Sequence, residues 1–341
     1  MQNFILGGYT KRLNDGLYEI EFDESKAKFG SKHLISPLKQ STFMTLSSDK
    51  RYLFAIHKGD ENSGIVAFEK KDGHWHEIDR LLNSTIPGCH LSYRSLSRTI
   101  YVSNYHLGQI QCYQLKEDNK LTELTTIQHH GSSIHPNQKS PHVHYTCLSD
   151  DESLLYVCDL GTDHVLTYQV NAEGELSLRD QLKFPAGTGP RHLVKHPHKK
   201  YYYAIGELGN TTSLLKPDKQ GRLTIEQTIL NIPSDQVQAS AGSAIRTSQD
   251  GRFLYVSTRF HNSLSVFEIN QENGQLNFIQ CIETMGQIPR DFCLDASDSF
   301  VLVPHQDSDF ISIFERNPET GLLKFIQNDT KAPECVCILP V

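Results

Sequence analysis

The chain has 341 residues, of which 38% are hydrophobic and 21% charged, with 33 Lys+Arg against 40 Asp+Glu and a net charge of −7. This composition fits neither a disordered chain nor a membrane protein, since no apolar run approaches the roughly 18 residues that span a bilayer. The acidic balance, with no basic run, argues against nucleic acid as partner, and no membrane partner is expected.

At the N-terminus the apolar run is only Phe4 to Leu6 and no basic segment precedes it, so no secretory leader is expected. The 8 Cys sit mostly in apolar, strand-like runs, and there is no Cys-x-x-Cys. Free, buried thiols in a reducing cytoplasm are expected. Cys335-Val-Cys337 puts two thiols on one side of a strand.

One phrase recurs along the chain. It reads Ser-Ser-Asp-Lys-Arg-Tyr-Leu-Phe54, then Ser-Leu-Ser-Arg-Thr-Ile-Tyr101, then Ser-Asp-Asp-Glu-Ser-Leu-Leu-Tyr156. It returns as His-Pro-His-Lys-Lys-Tyr-Tyr-Tyr203, as Ser-Gln-Asp-Gly-Arg-Phe-Leu-Tyr255, and as Ala-Ser-Asp-Ser-Phe-Val-Leu302. Ile5 takes the same place at the N-terminus. The anchors 5, 54, 101, 156, 203, 255 and 302 are 49, 47, 55, 47, 52 and 47 residues apart. Seven such units use all 341 residues, which predicts one domain over 1–341.

The copy around Tyr255 shows what a unit contains. Gly242 to Ser248 is a short mixed run, and Gln249-Asp-Gly251 is a turn. Phe253 to Ser257 is rich in aromatic and β-branched residues, as strands are. Leu264 to Ile269 alternates apolar and polar, the half-buried strand pattern. Asn273-Gly274 is a hairpin signal, and Gln275 to Ile279 is a fourth strand. Four antiparallel strands, repeated seven times, predict an all-β, seven-bladed β-propeller with almost no helix. The last run, Pro333 to Leu339, is a lone strand expected to pair with the N-terminal strand and close the ring.

Aligning the repeats places a site. Twelve residues before the anchors stand Thr42, Cys89, His144, Arg191, Ser243 and Arg290; four residues after them stand Lys58, Tyr105, Leu160, Glu207, Arg259 and Gln306. In an antiparallel hairpin both columns fall at one end of the blade, so both are expected at one mouth of the channel, a concave place suited to binding. The titratable members crowd into consecutive units. Arginine forks bind carboxylate or phosphate oxygens, and histidine moves protons near neutral pH. The mouth is therefore expected to be electropositive, with Lys58 adding to the arginines, although the chain is acidic.

His74-x-His76, His142-x-His144 and His196-x-His198 place two imidazoles on one strand face, but a third ligand at matching spacing is missing. His196 and His198 are expected in a surface turn with Lys199 and Lys200. No metal and no cofactor is expected. Neither a Gly-x-Ser-x-Gly elbow nor a phosphate loop is present, so an acyl-enzyme route lacks support.

Gly187-Thr-Gly-Pro-Arg191-His192, Pro289-Arg290-Asp291-Phe292, Asp250-Gly-Arg-Phe-Leu-Tyr-Val-Ser-Thr-Arg259 and Gly8-Tyr9-Thr10 resemble the seven-bladed propeller lactonase family. This family includes 6-phosphogluconolactonases of the propeller type and a carboxymuconate-lactonizing enzyme, and the resemblance runs over essentially the whole chain. It implies a lactonase acting on a small anionic sugar lactone, 6-phospho-D-glucono-1,5-lactone. The implied catalytic residues are His144, Arg191, Glu207 and Arg259, with His144 or Glu207 as general base. Arg290, His142 and His192 are the expected substrate-binding residues. The chain departs from the family pattern at His57-Lys58, where Asn-Glu is frequent, and at Thr258, where Asn is usual. Both departures bear on substrate identity rather than fold. The rival readings are a cycloisomerase acting on a muconate-like polycarboxylate and a non-catalytic propeller scaffold.

Overall fold

The computed structural model describes residues 1–341. Seven antiparallel sheets of four strands form the predicted seven-bladed β-propeller, and the only helices are two 3-10 turns, Glu24–Lys26 and Ser234–Ala239. Blade 1 is Met44–Leu46, Tyr52–Lys58, Ser63–Lys71 and His74–Ser84; blade 2 is His90–Arg94, Thr99–Asn104, Gln109–Leu115 and Leu121–Gln128. Blade 3 is Val143–Leu148, Leu154–Asp159, His164–Val170 and Leu176–Lys183; blade 4 is Pro190–Lys195, Tyr202–Gly206, Thr211–Pro217 and Leu223–Leu230. Blade 5 is Ala241–Thr247, Phe253–Arg259, Ser263–Ile269 and Leu276–Glu283; blade 6 is Cys293–Leu294, Phe300–Pro304, Phe310–Arg316 and Leu323–Lys331. Blade 7 combines the chain ends: Cys335–Pro340 pairs with Gln2–Gly8, followed by Leu17–Asp23 and Lys28–Ser36. The predicted pairing of the last strand with the first is thus present. The chain divides into two compact units, Leu38–Pro190 with blades 1 to 3, and Met1–Pro37 with Arg191–Val341, which carries blades 4 to 7.

Within each unit the core lies between neighbouring blades. Tyr203, Ile205 and Leu214 of blade 4 pack with Ile245, Val256 and Phe267 of blade 5. Blades 6 and 7 share a core containing Leu302, Ile311, Phe4 and Phe22. In blades 1 to 3, Ile56 packs with Val102, and Tyr101 with Val157. Burying each such side chain contributes about 1.5–3 kcal/mol. The second strands therefore lack alternation: every residue of Phe253–Arg259 is buried.

The third strands correct an expectation. Leu264 to Ile269 reads as half-buried, yet Ser263–Ile269 is buried at every position but Glu268. A middle strand meets a blade on both faces, so its small polar residues are buried too. Ser265 satisfies its hydroxyl by donating to the carbonyl of Asn231 at 2.5 Å. The true alternation is in the outer strands, such as Leu276–Glu283. A register shift between third and fourth strands recurs at Cys112/Tyr113, Thr167/Tyr168, Leu214/Leu215 and Val266/Phe267. Such bulges increase the local twist of each blade.

The tyrosine anchors tie blade to blade. The hydroxyl of Tyr101 donates to Gly174 O at 2.9 Å, that of Tyr203 to Gly274 O at 2.8 Å, and that of Tyr255 to Gly321 O at 2.9 Å. Each acceptor is a hairpin glycine of the following blade with positive φ; at Gly274 φ is 78° and a Cβ would lie 2.6 Å from the Tyr201 ring. All eight cysteines are free, and Cys335 and Cys337 are buried.

Candidate active site

In the four-blade unit, Arg191 is the second residue of its strand, Glu207 follows the strand Tyr202–Gly206, and Arg259 ends the strand Phe253–Arg259. Blades 4 and 5 approach closely here. Gly242 N donates to Glu207 O at 3.0 Å, and a Cβ on Gly242 would lie 2.8 Å from the carbonyl oxygen of Gly206. Oε2 of Glu207 is 2.8 Å from Nε of Arg191 and 2.6 Å from Nη2 of Arg259. Backbone carbonyls fix the guanidiniums further: Arg191 Nη1 donates to Ser243 O at 2.7 Å, and Arg259 Nη2 to Gly242 O at 3.3 Å. Arg191 Nη1 also lies 2.9 Å from Nε2 of His192, which places that nitrogen as an acceptor. His192 is thus a buried neighbour of Arg191 that orients it. Ser243 Oγ donates to the carbonyl of Arg290 at 2.7 Å, which fixes the backbone there.

The electrostatics follow from this packing. Burial works to raise the Glu207 carboxyl, but Arg259, Arg191 and Arg290 outweigh it and hold it below the usual carboxylate range. Burial lowers the Arg259 guanidinium, opposed by Glu207. A carboxylate so held is a weak base and a strong hydrogen-bond acceptor. Its structural role is to orient two guanidiniums, and with Arg290 the cluster keeps an excess of positive charge.

In the three-blade unit, His142 and His144 flank the start of Val143–Leu148. The rings of His142 and Tyr105 stack at 4.2 Å with 7° between planes, and Nδ1 of His142 donates to the carbonyl of Tyr105 at 2.9 Å. The buried His144 ring meets Tyr105 edge-on at 5.7 Å. Below them is a chain that sequence reasoning missed. Asp159 Oδ1 accepts the His142 N–H at 2.8 Å, Asp159 Oδ2 lies 2.8 Å from His129 Nδ1, and His129 Nε2 lies 3.0 Å from the Tyr168 hydroxyl. This buried network fixes the start of the strand that carries both histidines.

A third column also escaped the sequence reading. Seven residues after four of the anchors stand Asp163, Asn210, Asn262 and Asp309, all with φ between 48° and 59°. Asp and Asn tolerate that left-handed geometry and bond to nearby backbone. Asp163 accepts the N–H groups of Gly187 at 2.8 Å and Gly189 at 2.7 Å. Asn210 Nδ2 donates to Val237 O and Ser240 O at 3.0 and 2.9 Å, and Asn262 Oδ1 accepts Ile288 N at 2.9 Å. Asp309 Oδ1 accepts Glu334 N at 3.1 Å. Each therefore fixes the loop that runs, in sequence, into the next inner strand; those of Asp163 and Asn262 lead to Arg191 and Arg290. The aligned Asp/Asn residues were the available signal.

His196 corrects another expectation: it is buried, with Nε2 3.0 Å from Gly251 O, whereas His198, Lys199 and Lys200 are exposed as predicted. Its ring closes the gap beneath a turn glycine that has no side chain of its own.

The seven four-stranded blades define a β-propeller. The chain belongs to the seven-bladed β-propeller lactonase family, whose model matches residues 3–340. It is 33% identical over 310 residues to a 6-phosphogluconolactonase of Bacillus subtilis, covering 89% of this chain and 88% of that one. Among solved structures, it is similar to a protein from Lactobacillus plantarum (TM-score 0.95, 35% identity, 100% and 99% coverage). It is also similar to a periplasmic gluconolactonase of Pseudomonas aeruginosa (TM-score 0.93, 27% identity, 100% and 99% coverage).

Proposed function

We propose that this protein hydrolyses an anionic sugar lactone, 6-phospho-D-glucono-1,5-lactone, to 6-phosphogluconate. The observation that carries the reading is the single carboxylate oxygen of Glu207 shared by Arg191 and Arg259, with Arg290 close enough to act on the same carboxyl. Three guanidiniums against one carboxylate favour an anion and can stabilise the oxyanion that forms when water attacks the lactone carbonyl. Collapse of that intermediate breaks the bond to the ring oxygen, which leaves with a proton.

The proton carrier is assigned to His144, on the repeat alignment and the family pattern. It takes a proton from the attacking water and returns it to the ring oxygen. Glu207 is too well held as an anion for that task and serves to orient Arg191 and Arg259. Arg290 and His142 are assigned to substrate binding, and His192 acts through Arg191. The B. subtilis relative bears the name of this activity, which supports the substrate. Free thiols throughout support a cytoplasmic setting.

The test is a panel of substrates: 6-phosphogluconolactone, unphosphorylated glucono-1,5-lactone and carboxymuconate, each against its spontaneous rate. The proposal expects the highest kcat/KM on the phosphorylated lactone. Turnover of the muconate alone would replace hydrolysis by cycloisomerisation.

A further inference from the structure

The four-blade unit also holds a cavity of about 220 Å³, lined by Tyr9, Lys11, Arg12, Gln306, Asp307 and Glu334. Tyr9 and Gln306 stand four residues after the anchors Ile5 and Leu302, the register that Glu207 and Arg259 occupy in their blades. These shared register positions put the cavity at the same end of its blades as the arginine cluster.

Two of its charged walls are already committed. Glu334 is buried at φ 53°, and its carboxylate accepts the backbone N–H groups of Lys11, Arg12, Leu13 and Asn14 at 3.0, 2.8, 2.9 and 3.2 Å. Burial works to raise this carboxyl, but those four donors hold it below its usual range. Arg12 is bidentate on Asp309, at 3.0 and 2.8 Å. These contacts fix the loop 9–14 as a rigid wall and leave neither group for a ligand.

The remaining lining is a mixed polar set on an aromatic base. Lys11 Nζ lies 4.8 Å from the Tyr9 ring centroid. Gln306 Nε2 donates to Asp307 Oδ1 at 3.1 Å, holding amide and carboxylate side by side as adjacent acceptors. Lys11 and Asp307 cancel in charge, so the cavity has no excess to attract a phosphate. An ammonium, an amide and a carboxylate beside an aromatic ring instead match vicinal hydroxyls. The volume suits one small ring or a short polyol.

We propose that this cavity is a hydroxyl-binding subsite that takes the uncharged polyol portion of an aldonolactone, with Asp307 and Gln306 as specificity-determining residues. The proposal rests on the lactonase reading for its physiological ligand, but binding can be measured without turnover. The experiment is ligand-observed NMR titration of D-glucitol, a neutral polyol, with wild type, Asp307→Ala, Gln306→Ala and Arg191→Ala. In parallel, kcat/KM is compared for glucono-1,5-lactone and hydroxyl-free δ-valerolactone. Both altered cavity side chains are partly or fully exposed, so these variants should fold.

The expected result is that wild type and Arg191→Ala bind glucitol alike. Asp307→Ala should bind it at least about tenfold more weakly, as for loss of hydrogen bonds to a charged group, with Gln306→Ala in between. The preference for gluconolactone over valerolactone should fall by a similar factor. Absence of glucitol binding to wild type, or equal binding by wild type and Asp307→Ala, would overturn the subsite. Glucitol binding that is lost in Asp307→Ala, in a protein that hydrolyses neither of these lactones nor 6-phosphogluconolactone, would keep the subsite and overturn the lactonase reading instead.

Discussion

Nη2 of Arg259 lies 2.6 Å from Oε2 of Glu207, the same oxygen that Nε of Arg191 approaches to 2.8 Å. One carboxylate oxygen therefore holds two guanidiniums of neighbouring blades. Arg191 is only 2% exposed and Arg259 10%, so bulk water solvates the two guanidiniums poorly when that partner is lost. Removing one member of a buried ion pair costs about 3–5 kcal/mol. Glu207→Gln should lower the unfolding temperature and cut kcat/KM by about 10²-fold or more, as loss of a positioned oxyanion donor does. Sulfate should bind this variant more tightly than wild type and recover part of the lost stability, because the site has become more positive. Calorimetric unfolding with and without sulfate checks both signs.

Anion binding to wild type should weaken as salt rises, because the cluster is partly reached by solvent. Sulfate, whose own charge is fixed over this range, should bind about equally at pH 8 and pH 5. Glu207 has its carboxyl held below the usual carboxylate range, so it stays ionised across that window. Arg191→Ala should lose most phosphate affinity, whereas Lys199→Ala, in an exposed turn, should not. Titration by calorimetry at two salt concentrations and three pH values gives the comparison.

Stability, in contrast, should depend on pH through His305. Burial lowers this imidazole from its ordinary 6.5 to about 4. The unfolded chain then binds a proton that the folded chain refuses, so stability falls as pH drops from 6.5 toward 4 and is level above that window. The loss is on the order of 3 kcal/mol at pH 4. Denaturant unfolding of wild type and His305→Gln at pH 7, 5.5 and 4 should show a shallower acid limb in the variant.

The tyrosine ties between blades should each carry measurable stability. Tyr203→Phe removes a donor from a buried contact with Gly274 O and should cost about 1–3 kcal/mol. Tyr113, whose hydroxyl donates to Asn83 at 2.8 Å in a partly buried contact, should lose less on the same change. Urea midpoints compare the two.

The repeat carried most of this into the sequence. Its anchors gave the blades because buried second strands need aromatic and β-branched residues at a fixed interval, and the two columns around them brought Arg191, Glu207 and Arg259 to the same end of two neighbouring blades. What stayed hidden was contact between residues with no shared spacing. Nothing in the chain announces that Asp159 lies beneath His142, or that Glu334 gathers the N–H groups of residues 11–14 from the opposite end of the sequence. The half-buried reading of Ser263–Ile269 failed because serine is small enough to be buried when its hydroxyl finds a carbonyl. The left-handed Asp/Asn column was visible in the aligned repeats, but its meaning depends on a backbone angle.

The most direct measurement is acid release from freshly made 6-phosphogluconolactone in a pH-stat, with wild type and Arg191→Ala at equal concentration. The account predicts hydrolysis well above the spontaneous rate for wild type, and a loss of about 10²-fold or more for the variant. A wild-type rate equal to background, or equal rates for the two proteins, would contradict it.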